Sequence, residues 1–310
     1  MSPEIARNLG LTSPVVPSLA GYSVALDTST LSNLLNAEDD LIPRFVLATH
    51  RHQATIAFSK TVLFEISSDA NVPAVFRRFQ AFQRLQRELG PLLCLCLDSN
   101  ELIQAEARGW LRGPLADDVD WNWLGQAHPD DLLEVAKESP ESYDFISKKK
   151  KELFELDRSL HEHLLKSGIA YDPAQLIERI VARDPPPADE MIIEKAAKSS
   201  EDRYTPEQIV ADRVRFKGTH VISHLVWRLQ LANCSDRQTT TAEQEQIFGL
   251  WRTKGKGRGE GAWYDTYIAG EAAYLDLLVS DDENQRRRCQ FLRQRGLLSF
   301  DSESLAEFLA

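Results

Sequence analysis

The stretch Tyr264–Gln285, YDTYIAGEAAYLDLLVSDDENQ, decides how the chain folds. A helix is expected over Trp263–Leu275, a strand over Leu277–Ser280 (LLVS), and, after Asp281 and Asp282, a second helix over Asp282–Arg295. The next apolar run, LLSF at Leu297–Phe300, predicts a last strand, and Ser302–Leu309 a last short helix. Short apolar runs alternating with helices are the pattern of a parallel α/β sheet. Two strands cannot form a stable sheet by themselves, so their partners must lie elsewhere in the chain.

They are found at the other end. Ser23–Leu26 (SVAL) reads as a strand closed by Asp27, and Asp27-Thr28-Ser29 supplies capping side chains for a helix over Thr28–Asn36. A helix over Leu41–His52 leads to a second strand, Thr55–Phe58 (TIAF), and to a helix containing Val62, Leu63, Glu65 and Ile66. Phe76, Phe79, Phe82, Leu85 and Leu89 give Val75–Leu89 a helical period that Gly90 stops. Leu92–Leu97 (LLCLCL) is the third strand and Asn100–Arg108 another helix. Between Gly113 and Leu250 the pattern is helical instead, at Tyr143–Lys166, Val210–Leu231 and Thr241–Trp251, with a break at Asp184–Pro187 where successive prolines cannot continue a helix. The expected architecture is α/β: a central parallel sheet flanked by helices, built from residues 20–112 and 251–310, with an all-α insertion over 113–250.

Of the 310 residues, 43% are hydrophobic and 27% charged, a globular composition. No apolar run approaches the roughly 20 residues of a membrane span, and the amino terminus lacks the pattern of a secretory signal. Cys94, Cys96, Cys234 and Cys289 form no CxxC pair, and Cys94 and Cys96 share one strand face as small hydrophobes. These features lead us to expect a cytoplasmic protein with no membrane association. The net charge of −11 weighs against nucleic acid, yet basic residues gather at Lys148–Lys151, Arg252–Arg258 and Arg286–Arg295.

Four carboxylates stand at strand ends or in the helices beside them: Asp27, Glu65, Asp265 and Asp282. The carboxyl ends of parallel strands share one edge, where open α/β sheets place their ligands. Carboxylates gathered there need a compensating charge, and hard divalent cations supply it. A plainer reading stands beside this one. Asp27, Asp265 and Asp282 each sit at an expected helix start, where a carboxylate caps free amides. Glu65, on a mostly apolar helix, needs a partner that an arginine could equally provide.

The segments VALDTSTLSNLL (Val24–Leu35), TVLFEI (Thr61–Ile66), Tyr264–Gln285 and LLSFDSESLAEFL (Leu297–Leu309) together resemble the PIN domain family. The resemblance covers about half of the chain. It implies a nuclease that uses Mg2+ or Mn2+, usually on RNA, with Asp27, Glu65, Asp265 and Asp282 holding the metal. Ser280-Asp281-Asp282 stands where the family often has Thr-x-Asp, which leaves Asp281 as an alternative ligand. By the same resemblance a toxin or defence role, an inhibitory protein partner and assembly with further copies come into view.

Arg252, Lys254, Lys256 and Arg258 alternate with small residues upstream of Asp265, and read either as a phosphate clamp or as a solvated linker. Trp251 and Trp263 flank them and could stack bases, though buried packing is the commoner fate of tryptophan. The arginines of 286–295 and the lysines of 148–151 read mainly as solvated helix faces. His161 and His163 point to different faces, whereas His220 and His224 share one, as two zinc ligands would, but lack an HExxH pattern. Neither a GxSxG elbow nor a Walker lysine motif is present. The expectation is therefore a metal-dependent nuclease acting on RNA or single-stranded nucleic acid. The alternatives are a catalytically idle PIN-like scaffold that binds a protein partner through the insertion, and a structure-selective DNA nuclease.

Overall fold

A computed structural model of the chain describes residues 22–36, 41–67, 72–109, 190–201, 203–223, 259–294, 296 and 298–310. The first part contains β1 (Tyr22–Leu26), α1 (Thr28–Asn36), α2 (Leu41–Arg51), β2 (Ala54–Phe58), α3 (Lys60–Ser67), α4 (Val72–Leu89), β3 (Leu93–Leu95) and α5 (Ser99–Arg108). Then come α6 (Glu190–Ser199), α7 (Pro206–Ala211), α8 (Gly259–Glu271), β4 (Leu277–Val279), α9 (Glu283–Gln294), β5 (Asp301–Glu303) and α10 (Leu305–Leu309).

All five strands are parallel, in the order β3-β2-β1-β4-β5. The two parts of the sequence therefore share one sheet, with Val24 opposite Leu277 and Leu26 opposite Val279. Every residue of β2 and β4 is buried, as is β1 beyond Tyr22. Helices cover both faces of such a sheet, which is why its strands read as unbroken apolar runs. Phe45, Phe58, Phe82 and Phe300 are fully buried in this core, each worth roughly 1.5–3 kcal/mol relative to exposure. Gly90, at φ 50°, ends α4 as expected, and Asp98 caps α5 through a capping box with Glu101.

A second cluster joins Leu102, Ile103 and Ala107 of α5 to Ile193, Ala196, Ile209, Phe216 and Ile222. The described part of residues 113–250 thus packs on the core. At Gly270 of α8 an added Cβ would lie 2.3 Å from Ile222 Cγ1, so glycine is what allows the helical residues 217–223 to approach α8.

Four expectations need correction. The last strand is Asp301–Glu303, not Leu297–Phe300, with Leu277 opposite Asp301. Leu298 and Phe300 are buried beside it. Apolar pattern reports burial, and an edge strand can pair while remaining polar. The last helix starts at Leu305 because Ser304 caps it through a box with Glu307. The helix expected over Val210–Leu231 is broken: α7 ends at Ala211 and helix resumes at 217, with Asp212 accepting from the Arg215 amide at 3.0 Å. The helix expected from Trp263 begins earlier, at Gly259. The elements expected over Tyr143–Lys166 and Thr241–Trp251 and the break at Asp184–Pro187 lie outside the described residues, as do Lys148–Lys151, His161, His163, His224 and Cys234.

Candidate metal centre

Strand order reverses direction at β1: the chain winds through β2 and β3 to one side, and β4 and β5 lie on the other. In an open parallel sheet the crevice at that reversal, outside the strand carboxyl ends, is the usual ligand position. Asp27 follows β1 directly and Ser280-Asp281-Asp282 follows β4. The two ends are joined, since the Asp27 amide donates to Val279 O at 3.1 Å and the Ser280 hydroxyl donates to Asp27 Oδ2.

Asp27 is 3% exposed. Its Oδ1 accepts from the Thr30 amide at 2.7 Å, which is a helix cap, and the Ser29 hydroxyl reaches both carboxylate oxygens. Burial nevertheless pushes the Asp27 carboxyl above its ordinary pKa, against the pull of the Ser280, Thr30 and Ser29 hydrogen bonds. Asp282 is also a cap, its Oδ1 accepting from the amides of Asn284 at 2.7 Å and Gln285 at 3.2 Å. Glu65, half-buried on α3, accepts from the Thr28 hydroxyl.

Asp265 differs from these. Because α8 begins at Gly259, Asp265 stands inside the helix and caps nothing at its start. Its carboxylate meets Arg288 of α9, Nη1 to Oδ2 at 3.3 Å, with side-chain exposures of 24% and 11%. Burial pushes the Asp265 carboxyl up to about 7; Arg288 pulls it down, while the charges of Asp282, Glu65 and Asp27 push it further up. Of the carboxylates expected from the sequence, Asp282, Glu65 and Asp27 thus each bear on Asp265, more weakly than burial does.

Asp281 has partners of its own. Its Oδ2 accepts from Asn33 Nδ2 at 2.8 Å and its Oδ1 from the Leu305 amide at 3.0 Å, tying α1 to α10. Arg252, Lys254, Lys256 and Arg258 lie outside the described residues. His220 is buried and bonds through Nε2 to Ile209 O at 2.8 Å.

Several neighbours were not expected. Gln285 is buried and donates from Nε2 to Asp265 O at 2.7 Å, fastening α9 to α8 at the site. Gln285, Cys289 and Leu292 form the buried stripe of α9, and this spacing, visible in the sequence, places Arg288 on the same side. Glu271, 1% exposed, accepts through Oε1 from the Thr61 hydroxyl at 2.8 Å and from the Ser99 amide and hydroxyl, both at 2.9 Å. It therefore ties α8, which carries Asp265, to α3, which carries Glu65. Burial pushes Glu271 up to about 7 against the hydrogen bonds of Ser59, Thr61 and Ser99. Cys94, Cys96 and Cys289 are buried, and burial raises each thiol, Cys94 and Cys289 to about 12, so none is a ready nucleophile.

The donor set is all oxygen, the kind that suits Mg2+ or Mn2+. As they lie, no three carboxylate, histidine or cysteine side chains among the described residues are grouped to hold one ion. Asp27, Glu65, Asp265 and Asp282 each accept a hydrogen bond from a protein donor. The residues fit a divalent ion in kind, and holding one requires exchange of some of those donors. No helix among the described residues is long and apolar enough to cross a membrane. No protein-family model, curated protein or solved structure matches the chain.

Proposed function

We propose that the chain is a Mg2+- or Mn2+-dependent phosphodiesterase of PIN-like fold acting on RNA or other single-stranded nucleic acid. The observation that carries this reading is the joining of Asp27 and Ser280, at the carboxyl ends of β1 and β4, beside the switch point of a parallel sheet. Ionised, Asp27, Glu65, Asp265 and Asp282 would hold the ion. When bound, a divalent ion activates a water and stabilises charge on a phosphoryl group. The chain's own residues hold the ligands in place. Thr30, Ser29 and Ser280 fix Asp27, Thr28 turns Glu65, Gln285 anchors the backbone of Asp265, and the α9 cap orients Asp282. Arg252, Lys254, Lys256 and Arg258 precede Asp265 in sequence and supply the positive charge that a polyanion needs.

Labelled single-stranded RNA and DNA, incubated with Mn2+, Mg2+ or EDTA, test the reading. Cleavage that EDTA abolishes and Asp265→Asn removes is the expected result. Metal-independent cleavage, or full activity in the variant, would overturn it. A second reading, an idle scaffold that docks a protein partner through the insertion, draws on the internal hydrogen bonds that already engage the four carboxylates. It predicts no cleavage under any of these conditions.

A further inference from the structure

Glu271 is the last residue of α8, and three other segments meet around it: Ser59 follows β2, Thr61 lies in the first turn of α3, and Ser99 opens α5. The Thr61 hydroxyl and the Ser99 amide and hydroxyl all donate to one carboxyl oxygen, Oε1, at 2.8, 2.9 and 2.9 Å. The other oxygen, Oε2, is buried and has no hydrogen-bond partner among the described residues. Glu106 is built differently, with Oε1 accepting from the Gly218 amide and Oε2 from the Thr219 amide and hydroxyl. An ionised oxygen buried without a donor is far costlier than a neutral one. The donors on Oε1 pull the other way, because they favour the carboxylate. Burial outweighs them and moves the Glu271 carboxyl up to about 7, against Ser59, Thr61 and Ser99, with no neighbouring charge among the causes. Titratable side chains do stand on the surrounding elements. Glu65 on α3 meets the Thr28 hydroxyl, Asp98 and Glu101 close the α5 capping box, Arg108 pairs with Glu201, and Glu106 faces residues 217–223. Cys96, just past β3, is a buried thiol pushed well above its usual range, in part by Glu271. On residues 217–223, Lys217 lies over the Tyr274 ring and His220 bonds to Ile209 O.

We propose that Glu271 is a proton-operated latch: protonated, it holds the end of α8 against α3 and α5, and ionised, with its proton given up to water, it lets that end and the packed residues 217–223 loosen. The reach to residues 217–223 follows from two neighbours of Glu271. Gly270 lies so close to Ile222 that an added Cβ would stand 2.3 Å from its Cγ1, and Tyr274 donates to Glu106, which receives the amides of Gly218 and Thr219. The sign follows from linkage. The folded chain binds a proton that an ordinary glutamate, at 4.5, would have released, so the latch is closed below that value and opens as pH rises through about 7. This device does not depend on a metal ion.

The test is amide hydrogen exchange of the full chain, with no metal added, in wild type and in Glu271→Gln, which keeps an acceptor at Oε1 and cannot ionise. Protection is read at the Ser99 amide, at the last turn of α8 and at residues 219–223, each relative to the β1 amides of the same protein and corrected for the intrinsic exchange rate. Between pH 5.5 and pH 8 the relative protection should fall about tenfold or more in wild type and less than about twofold in Glu271→Gln. An equal fall in both proteins, or no fall in wild type, would overturn the latch. Constant protection at residues 219–223 while the end of α8 loosens would overturn its reach to that stretch. Should Glu271→Gln fail to fold, nuclear magnetic resonance of the wild type decides. The Glu271 carboxyl carbon, assigned through its bonds, should titrate near neutrality together with the loss of Ser99 amide protection, and a midpoint in the ordinary glutamate range would sink the proposal.

Discussion

Glu106 and Asp265 are both carboxylates drawn into the protein, and their surroundings differ in kind. Glu106, 1% exposed on α5, accepts from the Gly218 amide at 2.6 Å, from the Thr219 amide at 2.9 Å and hydroxyl at 2.6 Å, and from the Tyr274 hydroxyl. It receives the buried amides at the start of a helical stretch and ties residues 217–223 to the core. Burial raises its pKa and every hydrogen bond it receives lowers it. Asp265 pairs with Arg288, and burial raises its pKa most, with smaller upward pushes from Asp282, Glu65 and Asp27. Burial alone therefore does not mark a functional carboxylate. A carboxylate surrounded by donors is a strut, whereas on the proposed reading Asp265, pushed up by its own kind as well as by burial, is a metal ligand.

The contrast can be broken first by activity. On the proposed reading Asp27→Asn removes a ligand while Thr30 and Ser29 still hold the side chain, and should reduce Mn2+-dependent cleavage by about a hundredfold or more. Glu106→Ala should leave the response to Mn2+ intact. It should instead lower stability by about 3 kcal/mol, since it strands two amides and two hydroxyls. Urea denaturation read beside a Mn2+ melting series checks both halves, and a strut that proved essential for the metal response would end the distinction.

A pH series sharpens it next. The Asp265 carboxyl rises from an ordinary 3.8 to about 7 in the folded chain, so the native state binds the extra proton between those values. That contribution to stability is full below the unfolded pKa and is lost as pH rises through about 7. Metal-free Asp265→Asn, which cannot ionise, should therefore melt roughly 2–4 °C above wild type near pH 8 and lose that advantage near pH 5. Stabilisation of wild type by Mn2+ should run the other way, growing from pH 6 to pH 8 as the carboxylate forms. Melting curves that do not depend on pH in either protein would contradict this account of Asp265. The smallest effect belongs to Asp281→Asn, which weakens acceptors for Asn33 and Leu305. It should cost about 1 kcal/mol and spare cleavage. If cleavage were lost there and retained in Asp282→Asn, the ligand assignment would pass to Asp281.

How much of this could be read in the sequence follows from what burial and distance do to a pattern. The central strands were legible because a parallel sheet covered on both faces leaves unbroken apolar runs such as TIAF and LLVS. The edge strand Asp301–Glu303 was not, because it pairs through backbone while its side chains stay half exposed. Asp27, Glu65, Asp265 and Asp282 were legible as residues at or near strand ends. Their dual nature was legible too, and the structure divides it: Asp27 and Asp282 do cap helices, and Asp265 does not. The partners of Asp281 were not legible, since Asn33 and Leu305 lie far from it in sequence. Glu106 and Glu271 escaped notice because their donors lie 112 to 168 and 172 to 210 residues away. Arg288 was one of five arginines on a helix, and only the buried spacing of Gln285, Cys289 and Leu292 distinguishes it.

The central claim is that Asp265 and its neighbours hold a divalent ion, and calorimetric titration of Mn2+ into the metal-stripped chain tests it most directly. The account predicts saturable binding near pH 8 that is lost in Asp265→Asn and preserved in Glu106→Gln. Equal binding by wild type and Asp265→Asn, or none by either, would contradict it.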